Sequence, residues 1–209
     1  MGADEVDLRA VVAGRLAGFA RREIDRPDLK RSAVAFTLVT TGVGADPAEG
    51  LAFLLTRRAA TLRRHSRQWA LPGGRTDPGE TGTETARREL AEELGLHLGP
   101  DAVLGVLDDY ATRSGYVITP VVLWGGEVGE LVPNPDEVSL LLRIPLAEID
   151  EEPRFVTIAE SDAPVIQVPL SGRMVHAPTG AVLYQAREVL LHGRATRVDH
   201  LEQPVFAWG

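Results

Sequence analysis

The sequence predicts an α+β domain in which a mixed β-sheet is sandwiched between helices. Short apolar runs of strand length recur through the middle of the chain, separated by Gly, Asp and Pro. One amphipathic helical segment lies among them, between a glycine-rich turn and Gly95. Further helical repeats occur near both ends.

In chain order, Leu8, Val11, Val12, Leu16 and Phe19 recur at helical spacing, so a helix is expected over about 6–24, ending before Pro27. "SAVAFTLVT" (Ser32 to Thr40) and "GLAFLLTRR" (Gly50 to Arg58) read as two strands joined by the turn-rich "TGVGADPAE". "QWALPGG" reads as a short strand entering a tight glycine turn. The central helix is placed at Thr83 to Leu94, with Thr81 and Glu84 as a capping box and Gly95 as a left-handed stop. "VLGVLDDYATRSGYVITPVVLWGG" reads as two strands around a turn at Thr112 to Gly115. "LLLRIPLAEID" adds a strand and the start of a short helix, and Val182 to Gly193 carries a helical repeat. Phe155 to Val168 has no clear period.

The 209 residues, 44% apolar and 25% charged, suit one folded domain over 1–209, with an N-terminal helical extension at about 6–24. A net charge of −8 argues against nucleic acid as a partner, because such binders present a basic surface. The absence of cysteine excludes disulfides, thiolate metal sites and cysteine nucleophiles. No stretch reaches the about 20 apolar residues of a membrane span, and the acidic start lacks a secretory pattern, so a cytoplasmic protein is expected. The N-terminal helix covers either the sheet or a homodimer partner, and the sequence does not choose between them.

Glu89, Glu92 and Glu93 share one face of the central helix, beside an apolar stripe of Ala86, Leu90 and Leu94. Spacing alone is equally satisfied by a solvated acidic face, since like charges at this separation cost only a few tenths of a kcal/mol. The glycine-rich turn before the helix favours a second reading. Carboxylates on one face suit a hard divalent cation, which takes oxygen ligands from protein, water and phosphate. Glu80 is placed to add a fourth carboxylate, and Arg88, four residues before Glu92, to orient one of them.

Gly74, five residues, Glu80, seven residues and then "RELAEELGL" (Arg88 to Leu96) resemble the Nudix box at every defining position. The resemblance implies an α/β/α sandwich and a Mg²⁺- or Mn²⁺-dependent hydrolase of a nucleoside diphosphate linked to another group. It implies that Gly74, through its carbonyl, and Glu89, Glu92 and Glu93 hold the metal, with Arg88 fixing them in place. Glu92, Glu93 or the loop residue Glu137 would be the general base. Glu137, in "PNPDEVSLLLRIPL", is similar to the loop glutamate that many Nudix enzymes set opposite the box.

Upstream, "LLTRRAATLRRHSRQWALPGG" resembles the signature of the coenzyme A pyrophosphatase branch at Leu54, Leu55, Thr56, Ala59, Arg63, Pro72, Gly73 and Gly74. It departs at Arg67, where the branch has glycine, and at Leu71, where it has phenylalanine. Arg57, Arg58, Arg63, Arg64 and Arg67 form a basic cluster in an acidic chain, and arginine forks suit phosphate. Arg57, Arg63, Arg67 and His65 are the expected substrate contacts. The implied reaction is cleavage of coenzyme A or acyl-CoA to 3′,5′-ADP and (acyl-)phosphopantetheine. ADP-ribose, a dinucleotide or a nucleoside triphosphate is the alternative substrate, and a Nudix-fold ligand-binding regulator the alternative class.

Overall fold

Asp7 accepts a hydrogen bond from the Ala10 N–H at 3.1 Å and caps α1 (Leu8–Ala17), in a computed structural model that describes residues 7–42, 44, 46–59 and 68–208. The helix is shorter than its apolar repeat suggests. It stops at Gly18, and the chain beyond is held extended by side chains rather than by helical carbonyls. Asp108 accepts from the Arg22 N–H at 2.7 Å, and Asp109 from the Ile24 N–H at 3.0 Å. Buried carboxylates thus satisfy backbone donors that a longer helix would have bonded internally.

The central sheet is built on β1 (Lys30–Thr40). A short helix α2 (Pro47–Gly50) interrupts the expected turn before β2 (Leu51–Arg58), and β3 (Trp69–Ala70) and β4 (Gly73–Arg75) follow. After α3 (Gly82–Leu94) come β5 (Val103–Val106), β6 (Tyr110–Ala111), β7 (Tyr116–Gly126) and β8 (Val138–Pro145). The main path runs β3-β2-β1-β7-β5, with β1 and β7 parallel and the other pairings antiparallel, so the sheet is mixed.

One edge of β1 changes partner along its length. Leu38 to Thr40 pair with β2, whereas Ser32 to Val34 pair with β4. Between the two, the Ala35 N–H donates to the Pro72 carbonyl at 2.8 Å. This change of partner brings the glycine turn at Gly73 and Gly74 against the middle of the sheet.

Period-2 alternation divides the core into two layers. Phe36 and Leu38 of β1 pack with Phe53 and Leu55 of β2, under α1 and the C-terminal helix. The Phe36 and Phe53 rings stack at 5.0 Å. The opposite face presents Ala33, Ala35, Leu54, Val121 and Leu123 to Ala86, Leu90 and Leu94 of α3. Small residues at 33 and 35 let α3 lie close to β1. Burying each α3 leucine contributes roughly 2 kcal/mol.

The stretch without clear period becomes β9 (Arg154–Ile158) and β10 (Ser161–Leu170), which with β11 (Arg173–His176) form a separate antiparallel sheet. Then α4 (Thr179–Ala186) begins three residues before the expected Val182 and continues as a π-helical turn, Arg187–Leu191. Gly193, at φ 64°, ends it in the left-handed conformation that glycine adopts without penalty.

Candidate active site

α3 is built to begin and end where the sequence places it. Thr81 accepts from the Glu84 N–H while Glu84 accepts from the Thr81 N–H at 2.8 Å, closing the capping box. Gly95, at φ 68°, supplies the left-handed stop. With both ends fixed and the Leu90 and Leu94 stripe buried, Arg88, Glu89 and Glu93 must face the glycine turn.

Arg88 is the hub. Its Nε donates to Glu80 Oε1 at 2.9 Å, and its Nη1 to Glu89 Oε1 at 2.8 Å and Glu92 Oε2 at 3.0 Å. Its Nη2 donates to the Arg75 carbonyl at 2.9 Å, tying α3 to β4. Glu80 also accepts from the Asp77 N–H and the Thr85 hydroxyl, both at 3.1 Å. The Arg88 guanidinium, with these donors, holds the Glu80 carboxyl down to about 2. Glu80 therefore orients Arg88 and does not face outward as a fourth free carboxylate.

Glu93 has the opposite environment. It is 2% exposed, and among the described residues the Gly73 N–H at 3.5 Å and the Arg58 guanidinium at 4.0 Å lie beside its Oε1. Burial pushes its carboxyl up to about 8, opposed by Arg58 and reinforced by the nearby charges of Glu89 and Glu137. Burial likewise raises Glu89, opposed by Arg88 and reinforced by Glu92 and Glu137. These carboxylates are crowded and desolvated without full compensation by protein donors. A Cβ on Gly74 would overlap the Glu89 carboxylate in its present position, and one on Gly73 would overlap β1 backbone.

Among the described residues, no three acidic or histidine side chains already converge as a closed metal cage. Glu92, its side chain 53% exposed, is drawn with Glu89 toward Arg88, and Glu93 lies buried apart. The donor set nonetheless fits a hard divalent cation. It is all oxygen, burial of Glu89 and Glu93 disfavours their charged forms in a way that a bound cation would offset, and Gly74 beside them lines a cavity.

Glu137 reaches this cluster from another element. The Asn134 N–H donates to the Glu93 carbonyl at 2.8 Å, and the Ala59 N–H to the Glu137 carbonyl at 2.8 Å. The loop before β8 is thereby clamped between α3 and the end of β2. Among the described residues, the Glu137 carboxylate has one long contact, from Asn134 Nδ2 at 3.5 Å.

A cavity of about 330 Å³ opens over the glycine turn. Gly73, Gly74, Arg58 and Arg75 line one part of it, and Trp69 and Tyr116 supply aromatic walls. Arg75 lies 5.5 Å from the Tyr116 ring and donates to its hydroxyl at 2.9 Å.

The expected substrate contacts are Arg57, Arg63, Arg67 and His65. Arg63, Arg67 and His65 lie outside the described residues. Arg57 does not line the cavity: its guanidinium lies 6.0 Å from the Trp69 ring. Arg58 does line it, and it shares the face of Leu54, toward α3, because successive strand residues point to opposite faces. Strand parity, read from Leu54, is the signal that identifies Arg58 in the sequence.

The family model for the NUDIX domain matches residues 31–166, more than half of the chain. The chain belongs to the Nudix family. It is 40% identical over 100 residues to Nudix hydrolase 3 of Caenorhabditis elegans, a match covering 46% of this chain and 42% of that protein. It is 44% identical over 96 residues to the uncharacterized Nudix hydrolase NudL of Pectobacterium atrosepticum, covering 46% and 50%. The chain thus spans about half the length of these curated relatives. A MutT/nudix family protein from Enterococcus faecalis shares the fold, with TM-score 0.56 and 14% identity over 80% of this chain and 64% of that one. Nudix enzymes generally use divalent metal ions. No helix among the described residues is long and apolar enough to cross a membrane.

Proposed function

We propose that this protein is a Mg²⁺- or Mn²⁺-dependent pyrophosphohydrolase acting on a nucleoside diphosphate derivative, and that its substrate is coenzyme A or an acyl-CoA. The observation that carries the reading is the pair of desolvated carboxylates, Glu89 and Glu93, against Gly73 and Gly74 in the cavity lining. Glu89, Glu92, Glu93 and the Gly74 carbonyl are the residues that would hold the cation. A divalent ion there supplies charge neutralisation for the diphosphate and activation of a water.

The remaining work falls to the protein. Arg88, itself fixed by Glu80 and the Arg75 carbonyl, orients Glu89 and Glu92. Arg58 and Arg75 are placed to bind phosphate oxygens. Glu137 faces the cluster from a separate loop and takes the water proton. The water oxygen forms a new bond to phosphorus, the bridging P–O bond breaks, and its electron pair leaves with the departing phosphate. On coenzyme A the products are 3′,5′-ADP and phosphopantetheine.

The resemblance of Leu54 to Gly74 to the coenzyme A branch supports that substrate, as do the cavity's arginines. One observation favours a second reading. Leu71, where the branch has phenylalanine, lines the cavity and reshapes its wall, which suits another derivative such as ADP-ribose, a dinucleotide or a nucleoside triphosphate. The test compares coenzyme A, ADP-ribose and NADH by kcat/KM with Mg²⁺ and with Mn²⁺. Preference for coenzyme A is expected. Coenzyme A left intact while ADP-ribose is cleaved selects the second reading, and tight binding without any turnover selects a ligand-binding regulator.

A further inference from the structure

The C-terminal segment lies beyond residues 31–166, yet it forms part of the cavity wall. We propose that Gln203 is a specificity-determining residue whose side-chain NH₂ donates to a neutral acceptor on the group attached to the diphosphate. This rests on reading the cavity as the substrate pocket.

The amide orientation is fixed by chemistry. The Arg113 backbone N–H, which can only donate, lies 2.7 Å from Gln203 Oε1, so the opposite side of the amide is the NH₂. Gln203 is 2% exposed and lines the cavity, and among the described residues its NH₂ meets no acceptor. The NH₂ opens onto the cavity, so a ligand acceptor there would take the place of water at a donor that no described residue meets.

The segment is anchored for this purpose. Tyr110 Oη donates to the Leu201 carbonyl at 2.8 Å, and Arg113 Nε to Glu202 Oε2 at 3.0 Å. The Glu202 N–H donates to the Pro164 carbonyl at 2.8 Å. Trp208 Nε1 donates to the Gln203 carbonyl at 2.9 Å, and the Trp208 ring lies 5.1 Å from the Arg113 guanidinium. Arg113 is thereby occupied away from the pocket. The neighbouring wall is uncharged, made of Thr112, Ser114, Thr179 and Val182, in contrast to the part lined by Arg58 and Arg75. Among the described residues, this part of the wall offers a phosphate no cation. The wall suits a carbonyl oxygen or a ring nitrogen, the acceptors of an amide or a nucleobase.

Calorimetry with Mg²⁺ present tests the assignment on three ligands that the proposed reaction does not consume. AMP carries a base without an amide, phosphopantetheine an amide without a base, and methylenediphosphonate neither. The variants are Gln203→Leu and Gln203→Glu, the latter keeping the acceptor for the Arg113 N–H and hence the anchor. Both variants are expected to lose roughly tenfold in affinity for one of the first two ligands. Methylenediphosphonate should bind wild type and variants within about twofold of each other, well under the cost of one hydrogen bond. Which ligand weakens identifies the base or the amide as the group bound. Unchanged affinities, a parallel loss for all three, or wild-type binding of methylenediphosphonate alone would overturn the assignment. Selective loss in a protein without metal-dependent turnover would instead sink the hydrolase reading and leave Gln203 in place.

Discussion

Arg57 and Arg58 are adjacent and chemically identical, yet it is Arg58 that lines the cavity and approaches Glu93. The choice is made by strand parity, and a basic cluster read along the sequence does not contain it unless the buried face of β2 is assigned first. Arg58 faces Glu93 at 4.0 Å and lines the cavity, where the proposed function has it bind phosphate. Arg58→Ala should therefore lower kcat/KM by roughly tenfold to a hundredfold, the cost of one charge-assisted hydrogen bond. Arg58→Lys should recover part of that loss. Steady-state kinetics on the best substrate reads both, and an Ala variant with wild-type kcat/KM would remove Arg58 from the site. Glu80 shows the complementary lesson. Its type and spacing suggest a ligand, whereas three donors and a lowered pKa make it the orienting partner of Arg88.

At the scale of elements, α3 was the most legible part of the chain. Its capping box, apolar stripe and glycine stop are local features, and each is where the sequence puts it. The end of α1 was not legible, because Asp108 and Asp109, far along the chain, compete for its backbone donors. The segment around β9 and β10 lacked a readable period because β10 is buried at uneven positions and β9 is almost wholly exposed. The approach of β4 to α3 is made at Gly74, and that contact is a sharper test than any propensity. Gly74→Ala places a methyl group in the volume of the Glu89 carboxylate. Relief requires moving either the side chain or the strand, and overpacking of this kind costs about 1–3 kcal/mol. A Tm lowered by a few degrees, with Mn²⁺ affinity reduced more than tenfold, is the expected pair of results (about 10–100-fold for disturbed ligand orientation). Unaltered Mn²⁺ binding would show that Glu89 does not need its present position.

Over the whole molecule, the carboxylate cluster makes stability depend on pH and on metal. Glu93 titrates near its ordinary 4.5 when unfolded and is pushed up to about 8 in the fold, so the folded state binds the extra proton between those values. Its contribution is fully present below pH 4.5 and is lost as pH rises through about 8. In EDTA, wild-type Tm should fall relative to Glu93→Gln as pH rises from about 5 to 8, and Mg²⁺ should reverse that difference. Parallel Tm profiles would show that Glu93 is not held in a desolvated state. The family model reaches residue 166, but the cavity is completed by residues from Pro178 to Gln203. That contribution was invisible in the sequence because it depends on long-range contacts, such as Tyr110 with Leu201 and Arg113 with Glu202, which no local pattern encodes.

The most direct measurement is divalent-metal-dependent diphosphate cleavage by wild type and Glu93→Gln on the same substrate, with Mn²⁺ titration and Tm recorded on both proteins. Wild type should turn over only with the metal. Glu93→Gln should lose at least about a hundredfold in kcat, bind Mn²⁺ more weakly, and stay folded because Ala86, Leu90 and Leu94 keep α3 packed on the sheet. A folded Glu93→Gln protein with near-wild-type turnover would contradict the assignment of the crowded glutamates as the cation site.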